Sequence, residues 1–217
     1  ERPGDVRAYL LTGDADLAAR VPAALAITFM LVSAMACERR PGTAEQSTTG
    51  EILVGMYGSL TGDGASFGQS SVEGAQLAVE EINNAGGLLG GRKIRLLVED
   101  DQSRPEEASN AVTKMITQDK VAAVFGCWTS VSRKSVLPVF EETNALLFYP
   151  VQYEGEEISR NVFYTGAAPN QQAIPAVEYL MSKEGGGARR WVLLGTDYVY
   201  PRTTNKILRA FLKSKGV

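Results

Sequence analysis

A chain of 217 residues, 44% hydrophobic and 22% charged, makes one ordinary domain or two small lobes of a larger fold. Its formal net charge of −3 does not draw in a polyanion, which disfavours a nucleic-acid role. There is no histidine, so no Ser-His-Asp triad, Cys-His pair, imidazole zinc site or histidine general base exists.

Residues 1–20 begin with Glu1 and carry Asp5, Asp14 and Asp16, and they read as an upstream or mis-started segment. Residues 21–36 (VPAALAITFMLVSAMA) are uncharged, follow Arg20 and are shorter than a membrane span. A basic flank, a short apolar run and small residues at Ala34 and Ala36 describe a secretory signal. Small residues followed by Cys37 also resemble a bacterial lipoprotein signal, in which Cys37 is lipidated and becomes the new N-terminus. Against that version, Ala34 stands where leucine is usual. The alternatives are a soluble export signal cut after Ala36, or a buried core helix. A single acyl chain anchors a protein only marginally. Residues 37–50 are polar after Cys37 and read as a flexible tether. The other cysteine, Cys127, reads as a small buried apolar residue; two cysteines without a C-x-x-C make no structural zinc site.

From residue 51 strands alternate with helices. Residues 52–57 are predicted as a strand. A helix follows over 71–85, with Val72, Ala75, Val79 and Ile82 on one face, a Ser70/Glu73 capping box and Gly86-Gly87 at its end. Residues 94–99 form the next strand. Ser103 and Glu106, with Pro105 in the first turn, open a helix whose Ala108, Ala111, Val112, Met115 and Ile116 recur at helical spacing. A strand over 121–125 precedes a helix over 132–142, kinked at Pro138. Strands over 146–149 and 162–164 lead to a helix over 170–183, a strand over 191–194 and a helix over 202–213. The class is α/β, a mostly parallel sheet covered on both faces in a flavodoxin-like or Rossmann-like order.

Such sheets bind ligands beyond the carboxyl ends of their strands. Ser59-Leu60-Thr61-Gly62 follows the first strand and Asp100-Asp101 the second. Aromatic, hydroxyl and carboxylate groups gather at later strand ends, in residues 126–130, 149–154 and 195–198, which suits a small, neutral, hydrogen-bonding ligand. Catalytic readings fail. Gly62, Gly64 and Gly68 have the wrong spacing for a dinucleotide loop, and Gly64-Ala65-Ser66-Phe67-Gly68 fits a nucleophile elbow with no histidine to serve it. Asp100-Asp101 reads as a solvated turn before a cation site. The expectation is a binding protein, not an enzyme, with no cofactor and no metal.

Residues 122–157 (AAVFGCWTSVSRKSVLPVFEETNALLFYPVQYEGEE), 163–176 (FYTGAAPNQQAIPA) and 195–207 (GTDYVYPRTTNKI) closely resemble the urea-binding lipoproteins of bacterial urea ABC transporters. They are also similar to amide-binding proteins, including a cytosolic amide sensor, and to branched-chain amino-acid binders. All share the type 1 periplasmic-binding fold. The resemblance covers residues 51–217. It implies an N-terminal lobe over 51–168 and the start of a second lobe over 169–217, truncated relative to the family.

The resemblance implies pocket roles for Trp128, Thr129 and Ser130, and for Tyr149, Val151 and Gln152, with Tyr153 and Glu154 flanking. It implies that Asp197, Tyr198 and Tyr200 face them from the other lobe. Trp128 and Val151 stand where amide binders carry tyrosine and threonine, which favours urea and leaves short amides open. Urea offers one acceptor and four N–H donors, so hydroxyls, Gln152 and the carboxylates suit it. Each residue also has a plainer reading: Trp128 and Tyr149 as core aromatics, Ser130 as a helix cap, Glu154 as a solvated charge, Asp197 as a turn brace. The implied function is an exported component of an ABC transporter, periplasmic or on the outer face of the cytoplasmic membrane. It delivers urea to membrane permease subunits; the alternatives are a short-amide binder or sensor, and a branched-chain amino-acid binder.

Overall fold

The computed structural model describes residues 50–217. The expectations for residues 1–20, the export signal, Cys37 and the tether as far as residue 49 lie outside the described residues.

The elements in chain order are β1 (Ile52–Gly58), α1 (Ala65–Asn84), β2 (Ile94–Asp100), α2 (Pro105–Thr117), β3 (Ala123–Gly126), α3 (Ser130–Thr143), β4 (Leu147–Tyr149), β5 (Val162–Tyr164), α4 (Ala173–Met181) and α5 (Val199–Ser214). The five strands pair in parallel in the order β2-β1-β3-β4-β5. The connection after β1 runs to β2 on one side, and the connection after β3 runs to β4 on the other. This makes β1/β3 the switch point, where loops diverge and leave a crevice. The predicted fold class is thus the observed one.

One face of the sheet holds the core. Tyr57, Val124, Leu147, Tyr149 and Val162 pack with Ala108, Val112 and Met115 of α2 and with Val136 and Phe140 of α3. Burying each large apolar side chain stabilises by about 1.5–3 kcal/mol. The predicted periodicity in α2 is the face that is buried. On the opposite face Val72, Ala75, Val79 and Ile82 of α1 are only half-buried. Phe125, Phe148 and Phe163 also occupy matching register positions on β3, β4 and β5, so their rings stack at 4.9 and 4.8 Å.

Several boundaries differ from the sequence reading. Helix α1 begins at Ala65, not residue 71, with Gly64 at its N-cap and no side-chain cap bond. Ser70 therefore lies inside the helix, where its hydroxyl donates to the Ser66 carbonyl at 3.0 Å, and the expected capping box does not form. The early start is possible because Gly68 lets the first turn lie against β1: a Cβ there would stand 1.9 Å from the Ser59 carbonyl oxygen. Ser103 does not cap α2 either. Arg104 holds that position with Pro105 behind it, and the Ser103 hydroxyl instead donates to the Thr61 carbonyl and accepts from Gly64 N–H. In α3 the cap is Thr129, which accepts from Ser132 N–H at 3.1 Å, and not Ser130. Residues 191–194 form no strand, since no ladder partner faces them among the described residues, and Val192 and Leu194 are each 90% exposed.

Candidate functional site

A cleft of about 560 Å³ opens at the carboxyl ends of β1, β2, β3 and β4. Ser59, Asp63 and Gly64 come from the β1–α1 loop, and Asp101, Ser103 and Arg104 from the turn before α2. Trp128, Thr129 and Ser130 come from the β3–α3 junction, and Val151 and Gln152 from the loop after β4. Tyr198 and Tyr200 enter from the start of α5.

The Asp100-Asp101 pair organises the near wall. Asp100 accepts from the backbone N–H of Leu60, Thr61 and Gln102 and from the Thr61 hydroxyl, the last at 2.6 Å. Burial pushes its pKa up, but these hydrogen bonds outweigh it and hold the carboxyl below its usual value. Asp101 is almost fully buried, and its Oδ1 accepts from the Ser59 hydroxyl at 2.7 Å and from Ser103 N–H at 2.9 Å. The pair is therefore a clasp between two loops, not a solvated turn. Among the described residues no three His, Cys, Asp or Glu side chains gather as a metal site.

Trp128 stands over the cleft mouth, 37% exposed, stacked on Phe67 with ring centres 4.9 Å apart. Its indole nitrogen leans on Gly64, where a Cβ would come within 2.8 Å, so only glycine leaves the ring in place.

Behind the far wall lies a buried ionic network. The Ser130 hydroxyl donates to Glu154 Oε2 at 2.8 Å, and Arg133 Nη2 donates to Glu154 Oε1 at 2.8 Å. Arg133 Nε donates to Glu157 Oε1 at 2.7 Å. Glu157 also accepts from Lys134 Nζ and the Tyr164 hydroxyl, each at 2.7 Å. The guanidinium lies 4.9 Å from the Tyr149 ring centre and 5.6 Å from that of Tyr153. Burial works to raise the Glu157 pKa, yet the hydrogen bonds from Arg133, Lys134 and Tyr164 bring it down to about 2. Burial and the bond to Glu157 push the Tyr164 hydroxyl well above its usual value.

Of the residues expected at the site, Trp128, Thr129, Ser130, Val151, Gln152, Tyr198 and Tyr200 line this cleft. The Tyr198 hydroxyl accepts from Val131 N–H at 3.1 Å, and that of Tyr200 accepts from Gln172 Nε2 at 2.8 Å. The structure places Tyr149, Tyr153 and Glu154 elsewhere. Tyr149 is wholly buried in the core, Tyr153 stacks on Tyr164 at 4.3 Å, and Glu154 is fully buried beneath Ser130. Asp197 is 80% exposed and pairs with Arg202. Asp63, Asp101, Ser103, Arg104 and Ser59 were not among the expected site residues. The position of Ser59 and Asp101 at strand ends was the available signal for those two.

A parallel sheet with a solute-sized cleft at its switch point is the arrangement in which such folds hold small ligands. The family is then plain: residues 52–217 match the periplasmic binding protein domain, and the chain belongs to that family. Among curated proteins it is similar to the Leu/Ile/Val-binding protein BraC3 of Rhizobium johnstonii, at 34% identity over 170 residues, 77% of this chain and 45% of that protein. It is also similar to an amino acid binding protein of Pseudomonas aeruginosa, at 31% identity over 135 residues, 61% of this chain and 36% of that protein. Among solved structures it resembles the isoleucine complex of a branched-chain amino acid transporter substrate binding protein from Streptococcus pneumoniae. That likeness has a TM-score of 0.55 at 29% identity and covers 61% of this chain and 38% of the other. The chain thus spans less than half the length of the relatives it matches. Family membership bears out the expectation of a binding protein and not an enzyme. The relatives' names favour the branched-chain amino-acid alternative over urea.

Proposed function

We propose that this chain belongs to the solute-binding component of an ABC-type uptake system, acting outside the cytoplasm, and that its cleft captures a small solute bearing N–H groups. The observation that carries this reading is the cleft floor. Oxygens of Ser59, Asp101 and Ser130 lie at adjacent strand ends, beside the indole N–H of Trp128. Amino or amide nitrogens donate to the oxygens, and a carbonyl or carboxylate oxygen accepts from the indole. In this reading residues 51–168 are one lobe and 169–217 begin a second. Closure of the two around solute creates the form that docks on a membrane permease, and Cys37 supplies a lipid anchor.

Two solute classes fit. A branched-chain amino acid is supported by the names of the relatives, and Trp128, Val131, Val151 and Pro105 offer apolar surface for its side chain. Urea or a short amide is supported by the acceptor-rich floor and by Trp128, whose ring takes up room beside Gly64. Calorimetric titration of the full-length protein, without residues 1–37, against urea, acetamide and L-leucine separates them. Leucine binding alone selects the first class, and urea or acetamide binding the second. Trp128→Ala is expected to weaken the bound solute at least about tenfold. Silence toward all three solutes refutes the proposal.

A further inference from the structure

We infer that Glu154 and Asp101 are positioning residues that turn two serine hydroxyls into obligate acceptors, so that the described lobe reads the N–H side of the solute. This rests on the reading that the cleft binds such a solute.

The argument concerns the single proton each hydroxyl owns. Ser130 is 3% exposed and its hydroxyl donates to Glu154 at 2.8 Å. Ser59 is 2% exposed and its hydroxyl donates to Asp101 at 2.7 Å. An ionised carboxylate can only accept, so it fixes which way the hydroxyl points. Arg133 Nη2 donates to the other oxygen of the Glu154 carboxylate at 2.8 Å and fixes its orientation toward Ser130. Asp101 is oriented by Ser103 N–H at 2.9 Å. In both pairs the hydroxyl proton is taken up by a carboxylate and only oxygen lone pairs are left for a solute.

The same arrangement thus appears twice, at the ends of the two strands that flank the switch point. A solute nitrogen bearing hydrogen meets lone pairs; a carbonyl oxygen turned the same way would meet them with its own lone pairs and be repelled. Asp101 adds to this asymmetry, since Oδ1 takes both of its hydrogen bonds among the described residues and Oδ2 takes none. The solute's oxygen end is accordingly directed away from Ser59 and Ser130, toward the Trp128 indole or the opposite side of the cleft. Glu154 does this without touching the solute, since it is fully buried behind Ser130, whereas Asp101 both orients Ser59 and lines the cleft itself.

The test uses near-isosteric solutes differing in N–H count, on the full-length protein. For the amide class these are urea, acetamide and acetone; for the amino-acid class, L-leucine and 4-methylpentanoate. In the unmodified protein each loss of a nitrogen is expected to cost about tenfold or more in affinity. In Glu154→Gln the side-chain amide donates to Ser130 and frees the serine proton to point into the cleft. Discrimination within the series is then expected to shrink about tenfold. An equal loss of affinity for every member of a series would mean a merely structural role and overturns the inference. Should Glu154→Gln fail to fold, Ser130→Ala and Ser59→Ala give the same readout, and unchanged discrimination in both overturns it. If the unmodified protein binds none of the solutes, the proposed function falls and this inference with it; binding with unaltered discrimination in the variants removes the inference alone.

Discussion

Glu157→Gln removes one charge from the buried network while keeping the size of the side chain, so its effect measures what that charge contributes. In the native protein the carboxylate is 7% exposed and accepts from Arg133, Lys134 and Tyr164. Its pKa falls from the usual 4.5 to about 2. At about 1.4 kcal/mol per pH unit, that drop is worth about 3 kcal/mol of stability. Since the folded value is the lower one, the contribution is complete above the unfolded value and fades as pH falls from 4.5 toward 2. The variant is therefore expected to melt about 6–12 °C below the unmodified protein at pH 7, using the usual conversion for domains of this size. The gap should close progressively below pH 4.5. Thermal melts followed by circular dichroism, at pH values from 7 to 3 and low ionic strength, provide the comparison. A gap that stays constant over that range, or one of less than about 2 °C at pH 7, refutes the assignment of stability to this carboxylate.

Gly68→Ala places a Cβ 1.9 Å from the Ser59 carbonyl oxygen, so the start of α1 must move off β1. A loss of at least about 2 kcal/mol is expected, read as a lowered guanidinium midpoint; a variant as stable as the parent would show that this contact does not set the register of helix on strand. Burial raises the Cys127 thiol pKa, an effect that hydrogen bonding to Tyr57 and Ser132 only partly offsets. At pH 8 alkylation of Cys127 by iodoacetamide is expected to run at least about tenfold slower than that of free cysteine. Mass spectrometry of the Cys127 peptide measures this, and full-rate alkylation of the native protein would contradict the burial.

The sequence made the fold readable because its chief signals are local and redundant. Ala108, Ala111, Val112 and Met115 repeat at helical spacing, and the same four are the buried residues of α2. The start of α1 was less legible. Residues 65–70 have little apolar periodicity, and what holds them helical is a close backbone approach at Gly68, which depends on a strand remote from that turn's own pattern. The cleft was legible where residues sit on the strand-end loops, as with Trp128, Ser130 and Gln152. Glu154 and Tyr149 lie in the same sequence blocks but point into the protein. Adjacency along a loop does not reveal which side chain turns inward, because that depends on the partner waiting there, in this case Arg133. Asp101 illustrates the reverse: it resembled a solvated turn residue until its hydroxyl partner, 42 residues earlier, came into view.

The buried network has a consequence for how the cleft wall is assembled. Its linking bonds, Arg133 to Glu154 and to Glu157 and Ser130 to Glu154, join residues only 21 to 24 apart. Tyr149, Tyr153 and Tyr164 fall within the same stretch. Closing loops of that length costs little chain entropy, and contacts of short sequence separation form early. One contiguous segment, residues 130–164, therefore contains every partner that sets the orientation of Ser130. During synthesis that wall can become ordered once residue 164 has cleared the ribosome, ahead of the residues that supply Tyr198 and Tyr200 from across the cleft.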